Sequence, residues 1–107
     1  MTQTQHPHVL VLGLGLSGLA MARWCAARGA RVTVADTREA PPQLAALRQQ
    51  LPEARFVASA LNAALLDEAS FGAVCRSPGL APAVIAGLVH EAQRRGLPVR
   101  GELDLFA

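Results

Sequence analysis

The stretch VLVLGLGLSGLAMARW, Val9–Trp24, decides the fold. Its first four residues, Val9–Leu12, form an unbroken apolar run, the pattern of a parallel strand buried on both faces. Gly13-Leu14-Gly15-Leu16-Ser17-Gly18 follows at once, and a helical pattern begins at Ser17. Each glycine has a mechanical reason. Gly13 permits a tight turn off the strand. Gly15 lets a phosphate approach a backbone that a Cβ would obstruct. Gly18 lets the helix pack closely on the strand. The helix start supplies unpaired N–H groups and the positive end of a dipole, and Ser17 adds a hydroxyl there. The same turn also occurs in folds that bind nothing, so the motif needs support from the rest of the chain.

Outward from this unit, strands and helices alternate. The first helix ends near Arg28-Gly29, a cation followed by a glycine suited to a helix terminus. Arg31–Ala35 is a β-branched strand closed by Asp36, and residues 37–42 form a loop. Pro42 is expected to start a helix carrying Leu44, Leu47 and Leu51. Arg55–Val57 reads as a third strand, Asn62 as the cap of a helix through Ala69, and Phe71–Arg76 as a fourth strand. Ser77-Pro78-Gly79 breaks the chain, Pro82–Arg95 is helical with Gly96 past its end, and Val99-Arg100 is a fifth strand. Glu102–Phe106 is expected to begin another helix. This alternation predicts an α/β fold: an open parallel sheet of about five strands with helices on both faces.

Composition narrows the function classes. The chain has 107 residues, 51% hydrophobic and 17% charged, enough for one domain with a core of its own. Its net charge of +2 comes from ten arginines, with no lysine, against eight acids. The arginines are scattered, which argues against nucleic acid as a partner. No apolar run approaches the ~20 residues of a membrane helix, and the N-terminus has no signal-sequence pattern. A soluble cytoplasmic protein is the expectation. Cys25 and Cys75 read as buried free thiols. His6, His8 and His90 have no metal-ligand spacing, Trp24 reads as core or interface, and Glu102 and Asp104 read as helix-entry acids.

Three segments are candidates for one rim, because ligands of open α/β sheets bind at the carboxyl ends of the strands. They are Gly13–Gly18, Asp36-Thr37-Arg38 and Ser77-Pro78-Gly79. Asp36 stands 18 residues after Gly18, where a NAD-binding fold carries the acid for the adenosine ribose. Arg38 can donate to a base or ribose edge. Each element also has a plainer reading: Asp36 as a solvated loop acid, Arg38 as half of a surface ion pair, Ser77–Gly79 as a turn.

At these residues the chain resembles the N-terminal domain of the Mur ligases of peptidoglycan synthesis, most closely their D-glutamate-adding branch. The matching pieces are Gly13–Gly18, Asp36-Thr37-Arg38 with Pro41-Pro42, Ser77-Pro78-Gly79 and Gly101-Glu-Leu-Asp-Leu-Phe106, in the family's order. The resemblance implies a Rossmann-like domain over residues 1–107 that binds the UDP part of UDP-MurNAc-L-alanine. It implies that Gly15, Leu16, Ser17 and Gly18 meet the diphosphate. Asp36, Thr37 and Arg38 would surround the uracil and its ribose, and Ser77, Pro78 and Gly79 the far side of the pocket. ATP, Mg2+ and D-glutamate would belong to further domains. A P-loop lysine on the phosphates is absent here. The 107 residues are therefore expected to be a fragment without catalytic residues, cofactor or metal of its own. Two rivals stay open: a small NAD-binding domain of a dehydrogenase or redox-sensing regulator, and a Rossmann module used only for protein contacts.

Overall fold

The computed structural model describes residues 7–102. Five parallel strands form one sheet in the order β3-β2-β1-β4-β5. They are β1 (His8–Leu12), β2 (Arg31–Asp36), β3 (Arg55–Ala58), β4 (Ala73–Arg76) and β5 (Val99–Arg100). The helices are α1 (Leu16–Ala27), α2 (Leu44–Gln50) and α3 (Pro82–Arg94).

The apolar run at Val9–Leu12 is explained by its place in the sheet. β1 is central, pairing with β2 (Val9 opposite Val32) and with β4 (Val11 opposite Cys75). Successive side chains point to opposite faces. Val9 and Val11 therefore enter one core with Leu19, Met21, Ala22 and Cys25 of α1, Val34 and Leu47. Leu10 and Leu12 enter the other with Leu61, Leu65, Leu66, Phe71, Val74 and the α3 residues Ile85, Leu88 and Ala92. Both faces of the sheet are thus covered by helices, as the alternation requires.

The ends of α1 and α3 fall at glycines with positive φ: Gly29 at +87° after α1 and Gly96 at +79° after α3. Pro82 opens α3, where its missing N–H costs nothing. Three elements differ from expectation by more than a residue at a boundary. Pro42 stays outside α2, which begins at Leu44 after Gln43. The helix expected from Asn62 to Ala69 is a 3-10 helix over Ala63–Asp67. Asn62 does cap it, its Oδ1 accepting from Ala64 N at 3.0 Å, but the backbone bonds Leu65 N–Asn62 O and Glu68 N–Leu65 O span three residues. So short a segment gains little from α-helical propagation and keeps the tighter turn. β4 starts at Ala73 and not Phe71, because Phe71 turns into the core with its ring 4.6 Å from that of His8. The Leu103–Phe106 part of the expected last helix, with Asp104, lies outside the described residues, as does His6.

Candidate functional site

The turn after β1 is set by covalent geometry. Gly13 has φ +90°, and a Cβ there would also lie 3.1 Å from Ser77 Oγ. A Cβ on Gly18 would lie 1.9 Å from the Gly13 carbonyl oxygen, so the first turn of α1 rests directly on the glycine turn. Gly15 is different: a Cβ there meets nothing within 4 Å. The space in front of Gly15 is open. The backbone N–H groups of Gly15, Leu16 and Ser17 have no acceptor among the described residues. Unpaired N–H groups at a helix start are expected, and they make that end attractive to an anion. Leu16 projects beside them, 75% exposed.

The second segment holds on to the first. Asp36 ends β2 and is buried. Its Oδ2 accepts from Leu14 N at 2.8 Å, while Gly13 N donates to Ala35 O at 2.7 Å. The same carboxylate accepts from Arg38 N at 2.9 Å, Arg38 Nε at 2.9 Å and Arg38 Nη2 at 2.8 Å. A carboxylate offers about four lone-pair positions, so Asp36 is saturated. The Arg38 guanidinium and then the two backbone N–H groups hold its pKa down to about 2, against the opposing effect of burial. Asp36 thus organises this corner: it ties the glycine turn to the next strand and fixes the arginine. Arg38 itself is 54% exposed at the side chain, and its Nη1 has no partner among the described residues. Thr37 sits exposed at the loop tip.

The third segment closes the other side. Ser77 is buried, and its Oγ donates to Gly13 O over a long 3.4 Å. Ser77 N donates to Leu12 O at 3.2 Å. Pro78 and Gly79 are exposed, with open space at Gly79. The strand order explains why these three segments meet. From β1 the chain builds outward through β2 and β3, then returns to place β4 on the other side of β1. The three segments meet at that switch point, the place where open α/β sheets bind ligands.

One participant was not foreseen. Ser17 Oγ donates to Glu102 Oε1, joining positions 85 residues apart. The sequence places Glu102 after β5, and nothing in its local pattern distinguishes this contact from a helix-entry role. Elsewhere, Cys25 on α1 and Cys75 on β4 are buried free thiols. The neighbouring Cys25 thiol and then burial push the Cys75 thiol up. Trp24 is half-buried, with the Arg28 guanidinium 3.6 Å from its ring centroid. No helix among the described residues is long and apolar enough to cross a membrane.

Residues 7–101 match the protein family described as Mur ligase MurD-like, N-terminal domain. The chain is 56% identical over 107 residues to the UDP-N-acetylmuramoylalanine–D-glutamate ligase of Albidiferax ferrireducens, covering 100% of this chain and 21% of that protein. It is 60% identical over 107 residues to the protein of the same name from a Polaromonas species, covering 100% and 18%. Among solved structures it is similar to the UDP-N-acetylmuramate:L-alanyl-γ-D-glutamyl-meso-diaminopimelate ligase of Neisseria meningitides. That match has a TM-score of 0.69 at 21% identity over 92% of this chain and 29% of the other, a likeness of fold. The chain spans about a fifth of the length of the curated relatives it matches. The dehydrogenase reading is not favoured: the relatives are ligases, and the acid that would serve an adenosine ribose already has its acceptor positions filled by Leu14 and Arg38. With its whole sheet inside the matched region, the chain belongs to the MurD-like N-terminal domain family of the Mur ligases.

Proposed function

We propose that this domain anchors the UDP part of UDP-MurNAc-L-alanine for a D-glutamate-adding ligase of peptidoglycan synthesis. The diphosphate would sit against the N–H groups of Gly15, Leu16 and Ser17, with Gly18 fixing the helix beneath them. Thr37 and Arg38 would meet the uracil and ribose, with Asp36 acting through Arg38 and the loop backbone. Pro78 and Gly79 would form the opposite wall, and Ser77 would brace the glycine turn from behind. The observation that carries this reading is the open space in front of Gly15, lined by unengaged N–H groups and flanked by an arginine already held in place.

In the whole ligase, ATP with Mg2+ would convert the substrate carboxylate to an acyl phosphate, and the D-glutamate amine would attack it to form the amide. Those groups would be held outside residues 1–107, in the four-fifths of the relatives' length that this chain does not cover. The role left to this domain is anchorage. Gripping the distant nucleotide positions the reacting end and limits its freedom, which lowers the barrier without a catalytic group here. A cytoplasmic location suits a UDP-linked substrate.

The test is a titration of the chain with UDP, UMP and NAD, followed by NMR. A few hydrogen bonds and a helix-end interaction, less the entropy of association, give a UDP dissociation constant of roughly 0.1 to several millimolar. Shifts should concentrate at Gly13–Gly18, Thr37-Arg38 and Ser77–Gly79, and NAD should bind more weakly. Arg38→Ala should weaken UDP about threefold or more with little loss of stability, since two backbone N–H groups still hold Asp36. Tighter binding of NAD, or UDP binding indifferent to Arg38→Ala, would overturn the reading.

A further inference from the structure

The Ser17–Glu102 contact brings a negative charge to the place where the proposed function puts a diphosphate. Ser17 lies in the first turn of α1, next to the unengaged N–H groups. A carboxylate is stabilised at such a helix end for the same reasons a phosphate is. Ser17 is the partner the Glu102 carboxylate has among the described residues, and Glu102 is only partly buried. It is therefore not locked into the core, and one hydrogen bond releases it. Two anions cannot share one hydroxyl at a few ångströms without strong mutual repulsion.

From this juxtaposition we infer that the Glu102 carboxylate is a built-in competitor for the diphosphate, occupying the start of α1 until the nucleotide displaces it. The inference rests on the UDP reading above and adds a residue and a consequence to it. Glu102 lies two residues past the end of β5, so displacement changes what holds the chain where it leaves the sheet. The competition also weakens UDP and discriminates against ligands without a diphosphate strong enough to win it.

The experiment compares wild type, Glu102→Gln and Glu102→Ala of the full chain against UDP, UMP and uridine, with a thermal melt of each to confirm folding. Both variants remove the competing charge, and Ala also removes any new amide donor. Both should bind UDP about threefold to tenfold more tightly than wild type, UMP by a smaller factor, and uridine unchanged. The gain should shrink as salt rises, because exposed charges are screened. If wild type binds UDP and neither variant binds it more tightly, Glu102 merely positions Ser17, and this inference falls while the UDP reading stands. Equal gains for UDP and uridine would also overturn it, since the effect would not lie at the phosphates. If UDP binds none of the three proteins, the UDP reading fails and takes the inference with it.

Discussion

The two ends of this sheet are built on different principles. At the amino end lies a cavity of about 870 Å3, lined by residues that include His8, Arg31, Thr33, Leu51, Glu53 and Arg55. Its polar groups are side chains, several of them engaged with one another. His8 Nε2 and Thr33 Oγ1 are 2.8 Å apart, and Arg55 faces Glu68 at 3.8 Å, both largely exposed. At the carboxyl end backbone N–H groups, held by glycines and by the buried Asp36, stand beside the side chains of Ser17, Arg38 and Glu102. The amino end has volume, lined by side chains. The carboxyl end has backbone donors whose positions are set by the turn and by Asp36. Recognition of a charged group depends on preorganised donors, because donors that must first be ordered forfeit part of the binding energy. Under the proposed function it is the preorganised donors of the glycine turn, and not the hollow, that hold the ligand.

The largest effect expected at the carboxyl end tests how rigid it is. Gly18→Ala places a Cβ 1.9 Å from the Gly13 carbonyl oxygen and 2.9 Å from its carbon, both backbone atoms. No rotamer can relieve that clash, so α1 must lift off the turn. Overpacking of this kind costs about 3 kcal/mol or more, a large share of the roughly 5–15 kcal/mol that stabilises a domain. A melt of the variant should show Tm lowered by roughly 12 °C or more, or no cooperative transition. A variant melting within a few degrees of wild type would mean that this end is as pliable as the other.

Acid should separate the two ends. At the amino end, burial first and the charges of Arg31 and Arg55 next lower the His8 pKa below 6.5. Protonation is thus harder in the folded state, so this contribution is present above pH 6.5 and is lost as pH falls through the folded value. At the carboxyl end, Asp36 titrates at about 2 when folded against 3.8 unperturbed. Its contribution is present above pH 3.8 and is lost between there and about pH 2. After discounting for the half-exposed Arg38 it amounts to about 1–2 kcal/mol. Chemical denaturation across pH should show two separate declines, the His8 step first and the Asp36 step last. An Asp36 carboxyl that titrates near 4 by NMR would mean that the clamp is not formed in solution.

How much of this could be read in advance follows from the range of the interactions involved. The strand, turn and helix at Val9–Trp24 were legible because Gly13 and Gly18 answer to local backbone geometry within a few residues. The meeting of Gly13, Asp36 and Ser77 was legible because parallel topology brings successive carboxyl ends to one side. The 3-10 helix was not, since Leu61, Leu65 and Leu66 suit either helix, and the alanines of that segment favoured the longer one. The partner of Arg38 was ambiguous between ligand and Asp36, because an arginine two residues from an acid can turn either way. Ser17 and Glu102 were invisible as a pair: 85 residues separate them, and only the folded sheet brings the exit of β5 back to α1.

The smallest stability effect carries the sharpest test of function, at Gly15. Its φ of −99° and ψ of −160° are open to alanine, and the new methyl meets nothing within 4 Å. Two small terms oppose each other in Gly15→Ala. Alanine is a poorer residue than glycine at a helix N-cap, by a few tenths of a kcal/mol to about 1 kcal/mol. It also restricts the unfolded chain, which stabilises the folded state by about 0.4–1 kcal/mol. Tm should therefore stay within about 3 °C of wild type. Binding should respond very differently, because the methyl fills the space through which a phosphate reaches the N–H groups of Gly15, Leu16 and Ser17. We expect UDP to weaken about tenfold or more, equivalent to about 1.4 kcal/mol, with uridine nearly unaffected. Gly18→Ala loses binding by losing the fold. Gly15→Ala should lose it with the fold intact, which no substitution in the cavity at the amino end should do. If Gly15→Ala binds UDP as wild type does, the opening before Gly15 is not the seat of the diphosphate. The contrast between the two ends would then be one of stability alone.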